Sequence, residues 1–312
     1  MTDRGSCCEI AINEGGTTRE RPLIQGGLKD AFFIKLNKGV SKMKKIMRLL
    51  VIVILSIINL NITSVIKAQD DIDFNGEVIV GVDDTFAPYT FKDDKGNYVG
   101  FDVELADEIF KRIGIKKYRF QPIDWSMKET ELSTGNIDMI WSGYSITPER
   151  EKMVDFTDVY LAGRQGILVK KESEFETKAD LAGKIVATQE GSSQLEALKN
   201  DPEFTKSLDG GQAITFQTFA EVLNDLSINR VDAIVVDETI ASYYFKQNGQ
   251  AKDYRMLAED FGKGSTAVGV RKGNKEFITK FNEALKAMRE DGTYDKIKNN
   301  WFADFASAES PE

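Results

Sequence analysis

From Phe74 onward, short apolar runs rich in β-branched residues alternate with amphipathic stretches, and this alternation most limits what the chain can fold into. Strand and helix taken in turn are the signature of an α/β fold, with sheets flanked by helices. Residues 78–82, 119–123 and 137–141 are predicted strands of a first series, and a helix is predicted within 100–113, G-F-D-V-E-L-A-D-E-I-F-K-R-I. In that helix Val103, Ala106, Ile109, Phe110 and Ile113 share one face, and Asp102 is placed to cap it. Thr147 is placed to cap a short helix that has Pro148 at its first position. A second series starts near Ile167, with strands at 184–188, 213–216 and 231–236 and helices from Ser193, at 219–226 and at 239–246. A strand at 266–271, a long helix at 275–289 stopped by Asp291-Gly292, and a last helix at 294–302 complete the pattern.

Two series suggest two lobes. A short internal echo agrees: Gly135-Asn136-Ile137-Asp138-Met139-Ile140 and Asn229-Arg230-Val231-Asp232-Ala233-Ile234 share a polar turn, a β-branched residue, Asp and an apolar strand. Chance likeness of two buried strands explains so short an echo equally well. Both strands run into polar residues, Ser142 and Asp237, and ligands of open α/β sheets sit beyond the carboxyl ends of strands.

Composition removes several chemistries. The chain has no histidine, so a Ser-His-Asp triad and a zinc site of the usual kind are excluded. The two cysteines, Cys7 and Cys8, lie upstream of the folded region, which therefore has no disulfide. No cofactor or metal is called for. Lys42, Lys44, Lys45 and Arg48 precede an apolar run at 49–58, the pattern of a signal peptide, with Ile66 and Ala68 suited to a cleavage site before Gln69. An uncleaved anchor is the other reading, against which the run is short of the ~20 residues a span needs. No cysteine stands near the site to accept a lipid. Residues 1–42 fit no export signal; Met43 reads as the start, and 43–68 as the signal peptide. Residues 1–68 carry 11 of the 41 basic and 5 of the 50 acidic side chains, so 30 basic stand against 45 acidic residues beyond them, a net charge of −15. Such a surface repels nucleic acid and anionic lipid.

Several residues can hold a small charged ligand. Arg150 lies in the first turn of its helix, where a cation opposes the helix dipole, and its guanidinium matches a carboxylate in a bidentate way. It can equally form a surface ion pair with Glu149 or Glu151. Ser142, Gly143 and Ser145 precede it on a tight loop with N–H and hydroxyl donors. Asp237 ends an apolar strand, where it suits either a ligand ammonium or the cap of the next helix. Ser192 and Ser193 lie between a strand and a helix, a place for an anion or a plain capping loop. Phe86 and Trp125 each end a strand and fit a ligand platform or the core. Trp141 reads as core.

The segments G-F-D-V-E-L-A-D-E-I-F-K-R-I, S-G-Y-S-I-T-P-E-R (142–150) and V-D-A-I-V-V-D-E (231–238), in this order, resemble the polar amino-acid solute-binding proteins of bacterial ABC importers, solute-binding family 3. The resemblance spans roughly 74–302. It implies a two-lobed periplasmic-binding-protein fold with lobes at 74–163 plus 259–306 and at 164–258. The hinge strands would lie near 160–166 and 256–261. It implies that Arg150 and Ser145 clamp the α-carboxylate, that Ser192 and Ser193 close over it, and that Asp237 accepts the α-ammonium. Phe86 and Trp125 would sandwich the side chain, whose far end Asp83 and Gln189 would read; that pair suits a polar or cationic side chain and repels glutamate. The implied partners are a free L-amino acid and the membrane subunits of an ABC permease, with the protein a monomer in the periplasm or outside the cell. A cleft enzyme of the same fold, resembling arogenate or prephenate dehydratases, is the alternative, with Glu190 as its acid. A sensor domain of a receptor kinase is a third reading.

Overall fold

The structure, a computed structural model, describes residues 71–302 apart from 248 and 250. The leader at 43–68, its cleavage site, the preceding segment and both cysteines lie outside the described residues.

The first lobe is built on a five-stranded sheet in the spatial order Lys117–Pro122, Glu77–Val82, Met139–Ile140, Gly269–Val270, Asp155–Phe156. The first three strands are parallel and the last two pairings antiparallel. Val78, Val80 and Val82 are buried in one core with residues of the helices that pack on the sheet. The helix Phe101–Ile113 buries Phe101, Val103, Leu105, Ala106, Ile109 and Phe110. Its dipole is complemented by Asp102 and Glu104 in the first turn and Lys111 and Arg112 in the last. The expected cap is different: Gly100 is the N-cap without a side-chain bond, and Asp102 turns inward. The long helix Lys275–Glu290 returns to this lobe and buries Phe277, Phe281, Ala284, Leu285 and Met288 in the same core.

The second lobe has the sheet order Ile214–Phe216, Val186–Gln189, Ala233–Asp237, Leu161–Lys170, Tyr254–Thr266. The helices Ser193–Asn200, Phe219–Ser227 and Glu238–Gln247 follow three of its strands. A small sheet of Thr85–Phe86, Thr90–Lys92 and Tyr98–Val99 completes the sheets.

Two strands carry the chain between lobes. Leu161–Lys170 and Tyr254–Thr266 pair antiparallel from Lys170↔Tyr254 to Leu161↔Thr266, with register shifts between Met256 and Asp260 and between Asp260 and Lys263. By sheet membership the chain crosses between Phe156 and Leu161 and again between Thr266 and Gly269. The second crossing is thus later than the 256–261 expected from sequence. Bulges at those positions look like the end of a strand in sequence but are absorbed within a continuing ladder. No helix among the described residues is long and apolar enough to cross a membrane.

Candidate functional site

The carboxyl ends of strands from both sheets meet at one cleft. The first lobe contributes Phe86, Tyr89, Trp125, Gly143, Ser145 and Arg150 to its walls; the second contributes Gln189, Ser192, Ser193, Gln194, Phe219 and Asp237. Nine of the eleven residues singled out in the sequence are therefore brought together, and Asp83 and Ser142 are not on the wall.

Arg150 is 1% exposed, which removes the surface ion-pair reading. Thr147 caps its short helix, Pro148–Glu151, accepting from the Arg150 N–H, and so fixes where the side chain leaves. Nε donates to Glu196 Oε1 at 3.1 Å, Nη1 to the Ser145 carbonyl at 2.9 Å and Nη2 to the Gly191 carbonyl at 3.0 Å. Its plane lies over the Tyr144 ring, 4.6 Å from the centroid. A guanidinium has five N–H donors, so these bonds leave capacity on both terminal nitrogens for a carboxylate. Glu196 and Gly191 belong to the second lobe, so Arg150 also bridges the lobes.

Lys128 does the same. Its Nζ donates to the Trp125 carbonyl at 2.9 Å and across the cleft to the Gly191 carbonyl at 2.8 Å. Burial, and next the Arg150 cation, lower its pKa to about 8, against the opposing pull of Glu129 and Glu196. Sequence reasoning missed Lys128, Glu129 and Glu196 because a charged residue in a first turn reads as solvated surface. It also missed Tyr89, Gln194 and Phe219; Phe219 lies inside the capping box of Thr218 and Glu221 and reads as an ordinary core position.

Asp237 sits at the cleft and also serves the helix that follows it. It lines the cleft, and its Oδ1 accepts from the Thr239 N–H at 2.8 Å at the start of the helix Glu238–Gln247. Burial pushes its pKa up to about 6, although the Thr239 bonds pull the other way. A ligand ammonium beside it would hold the pKa below that of the empty site, so between the two values binding expels a proton. Ligand affinity should then be level above pH 6 and fall as pH drops through about 6, by at most about tenfold per pH unit. Calorimetry from pH 7.5 to 5 checks this, and a flat profile would take the ammonium away from Asp237.

The serine-bearing loops are partly self-occupied. Ser192 Oγ caps the helix Ser193–Asn200, accepting from the Leu195 N–H at 3.1 Å while donating to the Gln189 carbonyl at 2.7 Å. Ser193 Oγ donates to Ser145 Oγ at 3.1 Å, another contact between lobes. The Gly143 N–H, expected as a ligand donor, goes instead to Asp102 Oδ2 at 2.7 Å. Ser142, two residues past the strand Met139–Ile140, is fully buried and its hydroxyl donates to the Asp83 carbonyl at 3.3 Å. Phe86 stacks on Tyr89 with centroids 5.3 Å apart and touches Phe219 of the other lobe at 5.5 Å. Trp125 also lines the cleft, edge-on to Tyr144 with centroids 5.9 Å apart, and Trp141 is in the core.

Asp83 and Gln189 hold each other. Gln189 Nε2 donates to Asp83 Oδ2 at 2.6 Å and to the Gln217 carbonyl at 2.9 Å, while Asp83 Oδ1 accepts from Thr85. Burial raises the Asp83 pKa.

Two lobes joined by two strands, with cation and carboxylate facing one cleft and polar contacts made across it, define a two-lobed solute receptor. Over residues 78–304 the chain matches the bacterial extracellular solute-binding proteins, family 3, and it belongs to that family. The lysine/arginine/ornithine-binding periplasmic protein of Escherichia coli (strain K12) is 35% identical over 232 residues, 72% of this chain and 87% of that protein. An ABC uptake transporter substrate-binding protein from Streptococcus pneumoniae, solved with bound histidine, is 36% identical with a TM-score of 0.71, covering 75% of this chain and 95% of that one. The structure of an ancestral amino-acid-binding protein, a precursor of cyclohexadienyl dehydratase, is 37% identical with a TM-score of 0.65, covering 73% and 96%.

Proposed function

We propose that this chain is the exported substrate-binding component of an ABC importer, capturing one polar or cationic L-amino acid by closing its lobes and delivering it to the permease. The observation that carries the reading is the buried Arg150 sharing one cleft with the buried Asp237, each from a different lobe. An α-amino acid offers the complementary pair: its carboxylate suits the free donors of Arg150 and its ammonium suits Asp237. Both are engaged only when the lobes are together, so the ligand's differential affinity favours the closed form. Phe86 and Trp125 would flank the side chain. Asp83 and Gln189 would meet its end, exchanging their mutual bond for bonds to the ligand. The protein acts as a monomer and without catalysis; it is a receptor, for which the acid expected of Glu190 in an enzyme has no task.

The test is a thermal-shift screen of the full chain against the twenty amino acids, cystine and ornithine, followed by small-angle scattering with the best ligand. Arginine, lysine, histidine, glutamine or cystine should raise the melting temperature, and glutamate and aspartate should not. The saturated protein should have the smaller radius of gyration. A best response to glutamate would remove Asp83 from the side-chain site. Turnover of arogenate or prephenate would replace the receptor reading with the enzyme one.

A further inference from the structure

The carboxylate of Asp102 is a site-adjacent group that ligand capture leaves unexplained. It is 1% exposed, in the first turn of the helix Phe101–Ile113, and among the described residues no cation is a hydrogen-bond partner of it. Its Oδ2 accepts two bonds, from the Gly143 N–H at 2.7 Å and from the Tyr160 hydroxyl at 2.9 Å. Its Oδ1 is buried without a hydrogen-bond partner among the described residues. Burial pushes its carboxyl up to about 7, against the pull of those two donors. A side chain that costs this much to bury is not needed to fill space; an apolar residue would fill it at lower cost.

What the two donors belong to gives the carboxylate its meaning. Gly143 is in the cleft loop, with φ of +57° and a position at which a Cβ would lie 2.6 Å from Phe86 Cε1. The loop backbone is therefore pressed against the aromatic wall in a left-handed turn that few residues adopt. Tyr160 immediately precedes the interlobe strand Leu161–Lys170. Its N–H donates to the Thr266 carbonyl at 3.0 Å, at the end of the other interlobe strand, and its carbonyl accepts from the Tyr294 hydroxyl. One carboxylate oxygen thus joins the loop that meets the ligand to the place where both connecting strands leave the first lobe.

We propose that Asp102 is a positioning residue which, without touching the ligand, fixes the Gly143 turn and ties it to the Tyr160 end of the hinge. The loop and the hinge are then set as one unit, so that Ser145 and Arg150 keep their place as the second lobe swings. Neither Asp102 nor Tyr160 is on the cleft wall, and this separates their role from that of the clamp.

The inference rests on the receptor reading for its affinity measurement, and the experiment separates the two. The full chain is first titrated calorimetrically with L-arginine, L-histidine and L-glutamine; binding of none of the three would fail the receptor reading, not this one. With a ligand in hand, Asp102→Asn, Asp102→Leu and Tyr160→Phe are compared with the unmodified protein. The Asn carbonyl can still accept both bonds, so Asp102→Asn should bind within about threefold of the parent. Asp102→Leu should bind roughly a hundredfold more weakly, and Tyr160→Phe roughly tenfold, with the ligand itself untouched by either change.

A role confined to stability would leave a spectroscopic signature unmoved. In ¹⁵N-glycine-labelled protein the Gly143 amide proton should lie far downfield, move upfield in Asp102→Asn where the acceptor loses its charge, and move furthest in Asp102→Leu. A folded Asp102→Leu protein with unchanged affinity would overturn the proposal. If that variant fails to fold, Tyr160→Phe decides: unchanged affinity with an unchanged Gly143 resonance overturns the proposal, and weaker binding with a shifted resonance supports it.

Discussion

Arg150→Ala should reduce ligand affinity by thirtyfold or more, corresponding to roughly 2–5 kcal/mol for truncating one partner of a buried, hydrogen-bonded charge pair. Three effects add. The ligand carboxylate loses its bidentate partner; the Ser145 and Gly191 carbonyls lose donors at 2.9 and 3.0 Å; and Glu196 Oε1 loses its Arg150 bond at 3.1 Å. Two of these contacts cross the cleft, so the variant should also close less completely. Arg150→Lys keeps the charge but not the planar fork, and should recover only part of the loss. Calorimetry on both variants checks this, and unchanged affinity in Arg150→Ala would remove the residue from the site.

Gly191→Ala should weaken binding roughly ten- to a hundredfold by obstructing closure alone. Gly191 has a φ of +68°, and a Cβ there would lie 2.8 Å from Ser126 Cα, 3.1 Å from the Trp125 carbonyl oxygen and 3.2 Å from the Ser126 nitrogen. All three are backbone atoms of the opposite lobe, which cannot yield as the end of a flexible side chain can. Overpacking of this kind costs roughly 1–3 kcal/mol. The left-handed turn costs a further ~1–2 kcal/mol with a side chain present, but it does so in open and closed forms alike and cancels from binding. Scattering with saturating ligand should show less compaction than in the parent. Full compaction with parental affinity would mean that the Gly191 turn does not dock on the first lobe when ligand binds.

Much of the fold was legible because its determinants are local. The apolar face of the helix Phe101–Ile113, the Thr147-Pro148 start of the next short helix and the Asp291-Gly292 stop after Lys275–Glu290 all depend on a few neighbouring residues. The hinge was harder. The strand Tyr254–Thr266 carries glycine, lysine and aspartate where a ladder is irregular, so its continuity could be seen only once Leu161–Lys170 lay beside it. Asp102 shows the same limit at one residue. Its position suits a helix cap, but its acceptor is used by Gly143, 41 residues on, and by Tyr160, 58 residues on.

The candidate site divides along the same line. Sequence alone determined the α/β class, the absence of histidine chemistry, and the presence of Arg150 and Asp237 at the ends of ordered elements, because residue type and short-range spacing settle these. Only the tertiary structure decided that Arg150 is buried and not a surface cation, that Lys128 reaches a carbonyl of the other lobe, and that Asp83 is paired with Gln189. Such facts depend on which distant segments exclude water from a group and which donors replace that water. A pattern of neighbours along the chain does not specify either.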